Sequence, residues 1–222
     1  MGLSEKRQSW EHQWQRRSGE DFDWYLSEAP RELMELMERP DRPTGGALDL
    51  GCGNGVATAF LAAHYRPAVG LDIAHAATKQ GKDLAGAKGV QAEFVVAEAP
   101  TLPFRDQAFG LVFDRGCLQA IPRSSWPTYF SEVERVLVPG GMLQLYVSRP
   151  SKKPPKLLSA RGLRARIRQL QGRPKGGPSF LSPGVIRDVL PGSFRELALE
   201  QFEFHTKADV TRQFVYALFK KR

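Results

Sequence analysis

Apolar positions recur along this chain in two rhythms. Short runs with nearly every position apolar lie at Ala47–Leu50, Ala68–Ile73, Ala92–Ala97, Phe109–Phe113 and Met142–Val147, the pattern of strands buried on both faces. Between them, apolar residues return every three or four positions over Val56–His64, Ala74–Leu84 and Ser125–Leu137, which predicts helices. A helix is also expected over Ala29–Arg39, with Leu33, Leu36 and Met37 on one side and Pro40 and Pro43 beyond its end. Pro139-Gly140-Gly141 predicts a turn into the fifth strand. Pro183–Leu190 reads as a late helix, and Phe194–His205 with Arg212–Lys220 as a closing antiparallel pair. Alternation of strand and helix with apolar strands predicts an α/β fold, a mostly parallel sheet with helices on both faces. One domain is expected over 1–222: a helical cap at 1–43, a core at 44–148, an insert at 149–180, and a helix with a strand pair at 181–222.

Composition narrows the class. At 222 residues, 41% hydrophobic and 25% charged, the chain is globular in make-up. No run approaches the ~20 apolar residues of a membrane span, and the first residues lack the apolar stretch of a secretory signal. Two cysteines, Cys52 and Cys117, do not make a disulfide framework, so a reducing, cytoplasmic setting is expected. His12, His64, His75 and His205 are scattered without metal-ligand spacing, and no metal is expected.

The net charge of +8 is concentrated in one segment. Ten Lys and Arg and no acid fall between Arg149 and Lys175, leaving 22 basic against 24 acidic residues elsewhere. Pro150, Pro154, Pro155 and Pro174 frame the segment. Leu163, Ile167 and Leu170 sit at helical spacing among Arg161, Arg164, Arg166 and Arg168, a basic amphipathic pattern. Such a stretch attracts an acidic small molecule, RNA phosphates or an anionic membrane surface, or serves as a solvated lid over a substrate. No aromatic residue interleaves it, which argues against a platform for stacking single-stranded bases.

The first chemistry lies in Asp49-Leu-Gly51-Cys52-Gly53-Asn54-Gly55, between the first strand and the helix after it. Glycines there let the backbone turn tightly and approach a ligand. A dinucleotide fingerprint would place its third glycine at position 56, which is Val56. The second strand ends in Asp72, positioned to accept two ribose hydroxyls, and Glu98-Ala99 follow the third strand, positioned for an adenine edge.

Taken together, Asp49-x-Gly51-x-Gly53-x-Gly55, Asp72, Glu98-Ala99-x-x-Leu102-Pro103-Phe104 and Arg135-Val-Leu-x-Pro139-Gly-Gly141 resemble the class I S-adenosylmethionine-dependent methyltransferases over about residues 44–148. The resemblance implies a Rossmann-like seven-stranded sheet with a reversed last strand, and S-adenosylmethionine as cofactor with S-adenosylhomocysteine as product. It implies that the loop Asp49, Gly51, Cys52, Gly53, Asn54 and the pair Asp72-Ile73 hold that cofactor. Gly51 and Gly53 would approach its methionine part and Asp72 its ribose. Glu98 stands where that family usually carries Asp. A narrower resemblance, to thiopurine S-methyltransferases and their bacterial relatives, is carried by Trp10-x-x-x-Trp14 with Gly19 and Phe22, by Phe113-Asp114-Arg115-Gly116-Cys117-Leu118, and by Gly177-Pro178-Ser179-Phe180. The basic segment has no clear counterpart there. This likeness implies a small-molecule acceptor, a thiol or another soft nucleophile; an RNA or protein acceptor recruited by residues 149–175 is the alternative.

Arg115 follows the fourth strand and is the candidate to orient an anionic acceptor, unless it is spent in a salt bridge to Asp114 or another local carboxylate. Asp114 is expected either at the cofactor's amino group or as the cap of the next helix. Trp10 and Trp14 are expected over the cofactor, where aromatic faces suit a sulfonium. Trp24 and Tyr25 either join that flap or pack on the sheet. Cys117 reads as a small buried residue.

Overall fold

The computed structural model describes residues 3–22, 24–149, 183–205 and 211–222. Seven strands form one sheet in the order β3-β2-β1-β4-β5-β7-β6. They are β1 (Ala47–Leu50), β2 (Ala68–Asp72), β3 (Glu93–Val96), β4 (Phe109–Arg115), β5 (Leu137–Arg149), β6 (Phe194–His205) and β7 (Thr211–Lys221). The first five are parallel, and β7 inserts antiparallel between β5 and β6. This is the expected mostly parallel sheet with its last strand reversed. The basic segment beyond Arg149 and the Gly177–Phe180 motif lie outside the described residues.

Alternation along the strands divides the core in two. One face presents Leu48, Leu50, Val112, Leu143, Leu145 and Phe219 to α6 (Trp126–Val136), which buries Trp126, Tyr129, Phe130, Val133 and Val136. Those five follow the spacing of one helical stripe, and Pro127 sits in the first turn, where its missing N–H costs nothing. Burial of side chains this size contributes roughly 1.5–3 kcal/mol each. The other face presents Ala47, Leu111, Phe113, Met142 and Tyr146 to α2 (Arg31–Met37) and α3 (Val56–Leu61). There α2 contributes Leu33, Leu36 and Met37, as its spacing predicts. On the same side, α4 (His75–Ala87) brings Gly81 so close to Phe94 that a Cβ on the glycine would lie 2.4 Å from the ring.

One element differs from expectation. The predicted turn at Pro139-Gly140-Gly141 is part of β5, and the helix before it stops at Val136 because Leu137 already pairs with Phe109 on β4. The register shifts between Phe109 and Leu111, and Gly140 takes φ +76°. The turn-forming residues therefore make an irregularity within paired strands. At the N-terminus, α1 (Leu3–Arg16) is a continuous helix, with Trp10 and Trp14 one turn apart. Among the described residues no helix is long and apolar enough to cross a membrane.

Candidate functional site

A cavity of about 350 Å³ opens at the carboxyl ends of β1, β2 and β4, where ligands bind in open parallel sheets. Its floor is the glycine loop. Gly51, Gly53 and Gly55 all adopt positive φ (+67°, +54° and +77°), a region that side chains oppose. A Cβ on Gly51 would lie 2.8 Å from Cys117 Cβ, and one on Gly53 would meet the Trp14 ring at 3.0 Å. Glycine at these two positions is thus required both by conformation and by close neighbours.

Two carboxylates anchor this floor. Asp72 accepts the backbone N–H groups of Gly53 (3.0 Å) and Ala74 (2.9 Å), tying the loop to the end of β2. Asp49 accepts the hydroxyl of Thr58 on α3 at 2.6 Å and is almost wholly buried. Burial, opposed by these hydrogen bonds, pushes Asp49 up to about 7 and Asp72 up to about 6. Ile73, Glu98 and Ala99 line the adjoining wall. The loop that carries Glu98 and Ala99 is fixed from outside. Arg135 on α6 donates to the carbonyls of Leu102 and Phe104 and to the carboxylates of Glu132 and Asp106, while Glu132 accepts the Leu102 N–H. The Arg135 motif read in the sequence therefore has a structural task beside the cavity.

The roof comes from the N-terminal residues. Trp14 packs with Phe22, Ala74 and Ala77, and its ring lies 4.5 Å from that of Phe22; Phe22 stacks on Trp24 at 4.6 Å. Trp10 meets Trp24 edge-on at 6.0 Å, and Trp24 is 40% exposed. Polar contacts hold α1 down: Gln80 donates to the carbonyls of Trp14 and Arg17, Glu11 accepts the Ala76 N–H, and Lys6 donates to the Ala120 carbonyl. Trp24 and Tyr25 line the cavity along with Trp10 and Trp14.

Of the thirteen residues singled out in the sequence, Trp10, Trp14, Asp49, Gly51, Cys52, Gly53, Asn54, Asp72, Ile73, Glu98, Ala99 and Arg115 all line this cavity. Asp114 does not. It is fully buried and accepts the N–H groups of Cys117 (2.8 Å) and Leu118 (3.0 Å), which open α5 (Cys117–Ala120), and the hydroxyl of Tyr129 at 2.6 Å. Of its two expected roles, the structure gives it the helix cap; a contact with the cofactor does not follow from this placement. Arg115, for its part, makes no ion pair with Asp114. Its side chain donates to the Trp24 carbonyl at 2.9 Å, linking the end of β4 to the roof. Burial draws its pKa below the ordinary value, opposed by the nearby Tyr146, Glu32 and Asp49.

Cys117 is half-buried against Gly51. Burial first, and neighbouring carboxylates second, hold both cysteine thiols well above their usual pKa, which keeps them protonated. Among the described residues no group of His, Cys, Asp and Glu is arranged to hold a metal.

Sequence reasoning missed several wall residues. Gln119 on α5 accepts both the N–H and the hydroxyl of Ser148, joining α5 to β5. Tyr146 pairs in register with Arg115, and its hydroxyl donates to Glu32 Oε2 at 2.9 Å. A tyrosine close to the carboxyl end of the fifth strand was the available signal for it.

Residues 47–141 match a family model described as a methyltransferase domain. The eEF1A lysine and N-terminal methyltransferase of Mus musculus is 29% identical over 133 residues, 60% of this chain but 19% of that protein. The fatty-acid O-methyltransferase of Mycolicibacterium smegmatis is 34% identical over 105 residues, 46% of this chain and 37% of that protein. The chain thus spans less than half the length of both curated relatives. Among solved structures, the N-methyltransferase NodS from Bradyrhizobium japonicum, in complex with S-adenosylhomocysteine, superimposes with a TM-score of 0.68 at 16% identity, over 95% of this chain and 97% of that one. That likeness concerns the fold. Residues 47–141 are thus similar to a methyltransferase domain, and the sheet has the Rossmann-like fold of the methyltransferase structures it superimposes on.

Proposed function

We propose that this chain transfers a methyl group from S-adenosylmethionine to a small-molecule acceptor, a thiol or other soft nucleophile. The observation that carries the reading is the division of one cavity into an acid-anchored floor, with Asp49, Asp72 and Glu98 at the ends of β1–β3, and a cationic wall at Arg115 on β4. The residues present fit the cofactor. A positively charged sulfonium nucleoside with a ribose diol calls for carboxylates, and a loop of positive-φ glycines leaves its approach clear. Asp72 would hold the ribose, Glu98 and Ala99 would border the adenine, and Trp10 and Trp14 would cover the sulfonium side. When bound, S-adenosylmethionine supplies an electrophilic methyl group.

What this chain adds is position and electrostatics. Holding an acceptor in line offsets about 7–11 kcal/mol of barrier by orientation alone. A thiol with a pKa near 8.5 is already a few per cent thiolate at neutral pH, so it needs a cation more than a strong base. Arg115 supplies that cation, and its bond to the Trp24 carbonyl keeps it at the cavity wall. The aromatic roof excludes water and favours an apolar acceptor body. A second reading, a protein or RNA acceptor drawn in by residues 149–175, draws support from the protein-methylating name of the mouse relative.

The test is a calorimetric titration with S-adenosylhomocysteine, followed by labelled methyl transfer to thiophenol, 2-mercaptoethanol, phenol, aniline, bulk RNA and a protein extract. Binding and turnover of a thiol are expected. Binding with turnover of only oxygen, nitrogen or macromolecular acceptors would refute the thiol reading. No binding would remove the enzymatic reading altogether.

A further inference from the structure

The face of the sheet toward α2 carries a polar cluster that adjoins Arg115. Glu32 on α2 accepts the Tyr146 hydroxyl at 2.9 Å. Beside it, the side-chain amide of Gln144 donates to the Glu32 carbonyl at 2.9 Å and lies 3.4 Å from the Tyr216 hydroxyl, while Gln144 Oε1 is fully buried with no partner. The neighbours of this cluster are Leu33, Leu36, Met142 and Leu218. Buried polar groups in apolar surroundings are costly unless satisfied, and an orphaned acceptor asks for an explanation.

Position supplies one. Tyr146 lines the methyltransferase cavity, in register with Arg115, and its hydroxyl is bonded to Glu32. Glu32 in turn lines a separate groove of about 420 Å³ on the outside, with Arg39, Glu200 and Tyr216. The cavity and the groove therefore meet through one hydrogen bond, Tyr146 Oη to Glu32 Oε2. We propose that Tyr146 and Glu32 form a proton relay that carries the acceptor's proton out of the methyl-transfer cavity to the outer groove.

Methylation of a neutral acceptor X–H leaves a proton to be disposed of, and Tyr146 stands beside Arg115 on the wall of the cavity opposite its acidic floor. In the relay the X–H bond breaks and its proton goes to Tyr146 Oη. At the same time Tyr146 gives its own hydroxyl proton to Glu32, and the acceptor keeps the electron pair. Arg115, beside Tyr146, stabilises the resulting anion, and Glu32 releases the proton to water in the groove. The charged and titratable groups around Glu32 are few. Arg115 and Tyr146 face it from β4 and β5, and Tyr216 from β7. Arg31, Glu35 and Arg39 flank it on its own helix, and Glu200 of β6 lies across the groove.

The inference rests on the methyltransferase reading, and its test separates the two. Glu32→Gln keeps an acceptor for the Tyr146 hydroxyl but removes the proton sink; Tyr146→Phe removes the link. With whichever of thiophenol, 2-mercaptoethanol or phenol is turned over, each variant is expected to lower kcat by roughly a hundredfold, at the lower end of general acid–base effects. KM and S-adenosylhomocysteine affinity should stay within about twofold. The double variant should be no slower than the slower single one, because both act on one proton path. An unchanged kcat in Glu32→Gln, alongside active parent protein, would overturn the relay while leaving the methyltransferase reading intact. Equal losses in rate and cofactor affinity would also overturn it, by showing a structural role. A parent protein that turns over none of the three would bring down the relay together with the acceptor reading.

Discussion

The two halves of the cavity are built in opposite ways. The half proposed for the cofactor is local: Asp49, Gly51, Gly53 and Asp72 fall within two dozen residues, and the bonds that fix them, Asp72 to Gly53 and Asp49 to Thr58, join neighbouring turns of chain. The half proposed for the acceptor is assembled from distant segments. Arg115 of β4 bonds to Trp24, 91 residues away, and Tyr146 of β5 bonds to Glu32, 114 residues away. The first half depends on the backbone, where loop conformation and carboxylate burial leave little freedom. The second depends on how α1, α2 and the strands of the sheet pack, so its chemistry is free to differ between proteins that share the first.

The sharpest way to break this comparison is at Arg115. Arg115→Ala is expected to slow methyl transfer by about a hundred- to a thousandfold, the loss typical of removing one preorganised charge from a site, with S-adenosylhomocysteine affinity nearly unchanged. Single-turnover rates and calorimetry on the same protein decide it, and parallel losses would move Arg115 into the cofactor half. Asp72→Ala should do the reverse, weakening cofactor binding by about 1.5–3 kcal/mol for each charged hydrogen bond lost. A titration showing undiminished affinity would mean that the ribose does not sit at Asp72.

The smallest expected effect concerns stability. Asp49 is raised from its ordinary value to about 7 by burial, so the folded chain holds that proton more tightly than the unfolded one. The stability it contributes is present in full below about pH 4 and is lost as pH climbs through about 7. Asp49→Asn, which keeps an oxygen for Thr58, should therefore raise the Tm relative to the parent at about pH 8 and much less at about pH 4. A Tm difference independent of pH would show that this carboxyl is not held protonated by the fold.

The fold was legible because its signals are local. Continuous apolar runs and helical stripes mark the strands and helices wherever burial on one or both faces dictates residue type, and α6 follows its predicted stripe nearly to the residue. The glycine loop was legible for a related reason: positive φ leaves almost no substitute for glycine. Pro139-Gly140-Gly141 was misread because the same residues serve a turn or an irregular strand pairing, and only the partner, Phe109, decides between them. Asp114 was ambiguous on similar grounds. A carboxylate ahead of a helix suits a ligand or a cap, and the N–H groups of Cys117 and Leu118 settle which.

By itself, then, the sequence determined the order of the strands' signals, the apolar stripes and the acid-and-glycine floor, since each depends on residues near one another in the chain. Tertiary structure alone decided the rest: the anchoring of Arg115 to the roof, the removal of Asp114 from the cavity, and the meeting of Tyr146 with Glu32. Those outcomes depend on which distant surfaces come into contact when the sheet closes, and no spacing along the chain encodes that contact directly.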